Sequence, residues 1–113
     1  MEAKKIIKIN NTKQYLYKVP GGKLLKIKIE INNNRINSIQ ILGDFFLYPE
    51  EALTKIETAL TQCEKQQCLS KIKEIIINEK IQLLGFSPED LNNLIQQGFN
   101  ENNFKKEQIK NKV

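Results

Sequence analysis

The sequence predicts an α+β fold, a small antiparallel β-sheet of about three strands packed against about three α-helices. Three observations carry this expectation. Apolar residues alternate with polar ones through the first part of the chain, recur at helical spacing after "GDFF", and are preceded there by proline and acidic start signals. The chain has 113 residues, 40% hydrophobic and 27% charged, which suits a single domain with one core. At this length folding buries roughly two thirds of the unfolded surface, enough to dispense with metal or disulfide staples.

The first strand is expected around "QYLYKV", which puts Tyr15, Tyr17 and Val19 on one face, and Pro20-Gly21-Gly22 ends it. The second is "KLLKIKIEI", where Leu25, Ile27, Ile29 and Ile31 alternate with Lys26, Lys28 and Glu30. "NNNR" then reverses the chain, because asparagine tolerates the positive φ of tight hairpin turns. Ile36 to Leu42 return as the third strand.

Past the sheet, Pro49 suits a first helical position and Glu50 and Glu51 complement the positive end of the helix dipole. Ala52, Leu53, Ile56, Ala59, Leu60 and Cys63 share one face of that helix. A second helix is expected from about Leu69 to Asn78, presenting Leu69, Ile72, Ile75 and Ile76 against the β-propensity of its isoleucines. The third starts at a capping box, with Ser87 as N-cap, Pro88 next and Asp90 reaching back, while Phe86 and Leu91 form a hydrophobic staple. Gly98 is expected to end it. Residues 1–98 then make the domain, and 99–113 a polar, basic C-terminal tail, either a frayed helix or a disordered segment.

Charge and composition exclude several functions. The formal net charge is +5, and from Met1 to Lys28 eight lysines face one acid, Glu2. Such a field attracts nucleic acid, an anionic membrane, a phosphate-bearing ligand or an acidic partner, unless it is simply a solvated lysine-rich face. No RNP aromatic pattern, GxxG loop or basic recognition helix accompanies it. The amino terminus has no long apolar run or small-residue cleavage site, so a cytoplasmic location is expected.

The chain has no histidine, which removes the commonest general base and every Ser-His or Cys-His nucleophile. Cys63 and Cys68 have four residues between them, neither a CxxC redox pair nor a zinc half-site, and are expected to be ordinary reduced cysteines. Glu50 and Glu51, like Glu89 and Asp90, fall where helix starts call for acids. "PGGKL" lacks the spacing and the hydroxyl residue of a P-loop. No catalytic residue and no metal site is therefore assigned.

Three segments carry a family resemblance: "KVPGGKLLKIKIEI", "INSIQILGDFFLYPEEALTKIETAL" and "LLGFSPEDLNNLI". Together, over Lys18 to Ile95, they resemble the small carboxyl-terminal accessory domain of lipoate-protein ligases, which in some archaea and bacteria is a separate subunit. The resemblance implies a non-catalytic accessory subunit, paired as a heterodimer with a large catalytic subunit. That subunit's RRxSGGGxVYHD-type motif is absent here. The complex would use ATP, Mg2+ and lipoate to make lipoyl-AMP, then transfer the lipoyl group to a lysine of a 2-oxoacid dehydrogenase E2 domain or the glycine cleavage H protein. This chain would bind no cofactor alone.

The resemblance implies a small domain that covers the active site during adenylation and moves afterwards, which makes Lys23, with Gly21 and Gly22, the active-site-covering or phosphate-proximal candidate; the alternative is a solvent-facing lysine after a turn in which the glycines serve backbone geometry. Gly43, Asp44, Phe45 and Phe46 are turn or partner-interface candidates. Gly43 releases the chain from its strand, and the Asp44 carboxylate is expected to accept backbone hydrogen bonds in the turn. Neighbouring residues of an extended chain point opposite ways, so one phenylalanine can fill the core while the other meets the partner, unless a twisted turn absorbs both into one core. The rival reading is a basic interaction module that binds nucleic acid or scaffolds another complex.

Overall fold

A computed structural model describes residues 12–111, with side chains as far as Glu101. The expectation for the amino-terminal segment lies outside the described residues. Five strands and three α-helices follow in order: β1 (Lys13–Lys18), β2 (Leu24–Asn32), β3 (Arg35–Gly43), β4 (Phe46–Tyr48), α1 (Ala52–Leu60), α2 (Cys68–Asn78), β5 (Gln82–Leu84) and α3 (Pro88–Asn111). A single 3₁₀ turn, Lys65–Gln67, leads into α2. The α+β architecture expected from the sequence is the one observed.

β1, β2 and β3 form an antiparallel sheet with β2 at its centre. Leu25, Ile27 and Ile29 are buried, as alternation demands, and the hairpin turns through Asn33 and Asn34 at φ 53 and 62. The third strand contains one irregularity that alternation does not foresee. Glu30 pairs with Ser38 but Ile31 pairs with Ile36, so Asn37 is an extra residue. This bulge lets Ile36 and Ile39, three apart, both reach the core. The outer edge of β3 is closed by other groups: the Glu57 carboxylate accepts the Ile41 N–H at 2.8 Å, and Ile36 exchanges backbone hydrogen bonds with Gln62 and Cys63.

All three helices lie on one face of this sheet, α1 against β3 and α3 against β1 and β2, with α2 between the two helices. Ala52, Ile56 and Leu60 of α1, Cys68 and Ile72 of α2, and Leu91, Leu94, Ile95 and Phe99 of α3 meet the sheet isoleucines in one core. The isoleucine run stays helical because Cys68 and Ile72, four apart, are held in that core. The helix then closes with Lys80 at φ 54 and the Ile81 N–H donating back to Ile76.

Two helix boundaries differ from expectation. Pro49, Glu50 and Glu51 are not the first turn of α1; they form a turn in front of it, after a cis Tyr48–Pro49 bond, with Ala52 and Leu53 donating to the carbonyls of Pro49 and Glu50. Tyr48 is still paired in β4, so the chain has to leave that strand before a helix can begin. Gly98 does not end α3, which runs on to Asn111. A Cβ at Gly98 would lie 3.3 Å from Ile29 Cγ2 and 3.4 Å from Ile31 Cδ1, so glycine is there to let the helix approach β2. Beyond it Phe99, placed by the sequence reading in the tail, is only 2% exposed, and the Tyr15 hydroxyl donates to Glu101.

Candidate partner-facing surface

β4 and β5, which sequence reading missed, pair as a two-stranded antiparallel ribbon at one end of the sheet. Each is three residues long, and they are joined across the whole α1–α2 segment, so no local pattern announces them. Leu47 and its register partner Leu83 turn towards the core. The alternation therefore sends Phe46, Tyr48 and Leu84 outward, where they are 69%, 70% and 62% exposed. Phe46 and Leu84 are register partners, and Tyr48 lies two residues along the same face. Beside them an open groove of about 450 Å³ is lined by Ile41, Leu42, Phe45, Phe46, Leu47 and Leu53.

The β1–β2 connection is built around Gly22, whose N–H donates to Val19 at 2.8 Å while its carbonyl accepts from Lys18 Nζ at 3.3 Å. Gly21 stands at φ 71 with open space around it. Lys23 is exposed, but its backbone is held twice: its carbonyl accepts from Val19 and its N–H donates to Gly85, both at 3.1 Å.

Gly85 is the residue that joins the separate motifs. At φ 111 it adopts a backbone that L side chains avoid, and a Cβ there would lie 2.8 Å from Lys23 Cγ and 3.2 Å from Phe45 Cβ. A Cβ on Gly22 would in turn lie 2.6 Å from the Gly85 carbonyl oxygen. The turn at Gly21-Gly22-Lys23, the turn at Gly43-Asp44-Phe45 and the "LLGFSPED" segment thus meet at one point. Sequence order alone contains no sign of this; the closest signal is a glycine between two strongly apolar residues.

Gly43 is required by close approach, since a Cβ would meet the Leu24 carbonyl oxygen at 2.2 Å. Asp44 corrects an expectation: among the described residues its carboxylate accepts no hydrogen bond, and only its backbone N–H is engaged, donating to Leu24 at 3.1 Å. The chain there is held by backbone groups, which leaves the carboxylate in solvent. The two phenylalanines part as an extended chain requires. Phe45 packs on the core edge-to-face with Phe86, ring centroids 4.7 Å apart, and Phe46 faces outward.

The surface so assembled carries the exposed ammoniums of Lys18 and Lys23 at a braced turn, the exposed carboxylates of Asp44 and Glu50, and the exposed apolar row of Phe46, Tyr48 and Leu84. Among the described residues no three histidine, cysteine, aspartate or glutamate side chains gather as metal ligands do, and no helix is long and apolar enough to cross a membrane. Phe46, Tyr48 and Leu84 thus gather large apolar side chains on one exposed face, the kind of surface that protein interfaces use.

Residues 9–95 match the family described as the bacterial lipoate protein ligase C-terminus. Lipoate-protein ligase A subunit 2 of Thermoplasma acidophilum is 33% identical over 70 residues, covering 59% of this chain and 70% of that protein. The fold is also similar, with a TM-score of 0.58 at 24% identity, to a chain from a structural analysis of an archaeal lipoylation system, a bi-partite lipoate protein ligase and its E2 lipoyl domain from the same organism. That match covers 78% of this chain and 96% of the other. With more than half of its length matched, and with the three motifs gathered at one end of the fold, the chain belongs to the lipoate protein ligase C-terminus family.

Proposed function

We propose that the chain is the non-catalytic accessory subunit of a two-chain lipoate-protein ligase, required with the large catalytic subunit for ATP-dependent conversion of lipoate to lipoyl-AMP before transfer to an acceptor lysine. The observation that supports this most is the meeting of the Lys23 turn, the Gly43–Phe46 turn and the exposed ribbon face around Gly85. A catalytic chain seated on Phe46, Tyr48 and Leu84 would have Lys23 at its margin. Lipoate, ATP and Mg2+ belong in this reading to the catalytic chain, as the family resemblance implies.

The division of work has a physical basis. Closing one chain over a mixed anhydride excludes water from it, and a cation brought to the phosphate offsets its charge. At about 4 Å from a phosphate a lysine gains roughly 4 kcal/mol of gross attraction at an effective dielectric of 20, reduced by desolvation. Lys23 is suited to this because its backbone is fixed at both ends while its ammonium is free to reach outward.

The test is lipoate- and ATP-dependent pyrophosphate release by the cognate catalytic chain, with and without this protein. Release that requires both chains is the expected result, and Lys23→Ala should then lower it roughly tenfold or more while the thermal transition stays in place. If the catalytic chain adenylates lipoate equally well alone, the accessory role is wrong.

A further inference from the structure

The sheet has a second face, which the helices of the described residues leave uncovered. Its residues are the alternate set of each strand: Gln14, Leu16 and Lys18 of β1, Leu24, Lys26 and Lys28 of β2, and Gln40 and Leu42 of β3. Register places Lys26 between Leu16 and Leu42, and Lys28 between Gln14 and Gln40. Neither lysine has a hydrogen bond or ion pair among the described residues. The acid sharing their strand face is Glu30, at the far end opposite Ser38. Lys18 adds a third positive charge at the near end, beside the Gly21–Lys23 turn. With Lys18, Lys26 and Lys28 against one acid, Glu30, two residues beyond Lys28 on the same strand, the face carries a net positive charge that an opposite charge on a partner would offset.

We propose that this face docks an acidic surface of the acceptor domain that receives the lipoyl group. The inference rests on the accessory-subunit reading and adds a second, separate surface to it. Charge decides the sign of the partner, and the leucines favour protein: Leu16 is 57% exposed and leucine flanks Lys26 on both sides, whereas the face has no arginine or aromatic on which a base would stack. Continuity decides which protein. The Lys18–Leu24 row runs directly into the turn that carries Lys23, so a domain held there sits beside the site where the activated group is made.

The test is the double charge reversal Lys26→Glu/Lys28→Glu in the reconstituted two-chain ligase. Among the described residues neither lysine has a hydrogen bond or ion pair to lose, and thermal melting checks that the fold is kept. KM for the apo lipoyl domain in transfer from preformed lipoyl-AMP should rise about tenfold, while pyrophosphate release and the value for Lys26→Arg/Lys28→Arg stay near wild type. Raising salt should bring wild type towards the reversed variant. An unchanged KM overturns the proposal, and so does loss of pyrophosphate release, which would make this face the seat of the catalytic chain. Should wild type fail to stimulate adenylation, the accessory reading has failed by itself. Titration of an isotope-labelled apo lipoyl domain with this chain then decides: salt-sensitive binding weakened by the reversal supports docking. Absence of binding, or binding only to anionic vesicles or a single-stranded oligonucleotide, overturns it.

Discussion

Cys68 has 0% exposure at the start of α2, and burial, reinforced by neighbouring Cys63, pushes its thiol from 9.0 up to about 12. Burial also raises the Cys63 thiol. Both are free and inert in the native fold, as ordinary reduced cysteines are. A consequence for stability follows from linkage. The unfolded thiol loses its proton near its usual value while the folded one keeps it, so between about 9 and about 12 the unfolded state binds fewer protons and stability falls as pH rises. Denaturation midpoints across that window should fall more steeply in wild type than in Cys68→Ala, the difference removing the background of titrating lysines. An equal slope would mean that the thiol is not held neutral. At the same scale, the spacing of the cysteines was enough to exclude a CxxC pair, but their burial comes from α1 and α2 packing together.

Helix α3 has the clearest local signature in the chain. The Ser87 hydroxyl accepts the Asp90 N–H at 3.1 Å and the Asp90 carboxylate accepts the Ser87 N–H at 2.9 Å, while Phe86 and Leu91 are buried as the staple. Ser87→Ala should cost about 1 kcal/mol by chemical denaturation. All of this was legible because a capping box is a property of four adjacent residues. The other end of the same helix was not legible, since a glycine reads as a stop whether it caps a helix or lets one approach a strand. Phe99→Ala distinguishes the two: with the ring in the core it should cost about 3–5 kcal/mol, and a loss under 1 kcal/mol would put the segment outside the fold. Strands β4 and β5 were missed for a related reason. Three residues are too few to establish a period, and their pairing exists only once α1 and α2 have brought them together.

Over the whole molecule, the sheet has its helices on one side, a basic face on the other and an apolar ribbon at one end. In the proposed accessory role, the ribbon face is the seat of the catalytic chain. Phe46→Ser and Leu84→Ser should each weaken that complex roughly tenfold by calorimetric titration, and together more, because exposed aromatic and aliphatic anchors carry most of such affinities. The melting temperature of the isolated chain should hardly move, as both side chains are already in solvent. A drop in melting temperature with unchanged affinity would remove the ribbon from the interface.

By itself the sequence determined the fold class, the hairpin at Asn33-Asn34, the α3 start and the family, because each rests on residues adjacent in the chain or on motifs in a fixed order. For Phe45 and Phe46 it offered divergence along an extended chain or absorption of both rings into one core, and the structure decided for divergence. Only the tertiary structure decided that Gly22, Lys23, Phe45 and Gly85 meet, that Tyr48 and Leu84 join Phe46 on one exposed face, and that Lys26 and Lys28 have no hydrogen bond or ion pair among the described residues. Those are distances between residues tens of positions apart. Local propensity and period carry no information about them, and the burial of one shared core sets them all.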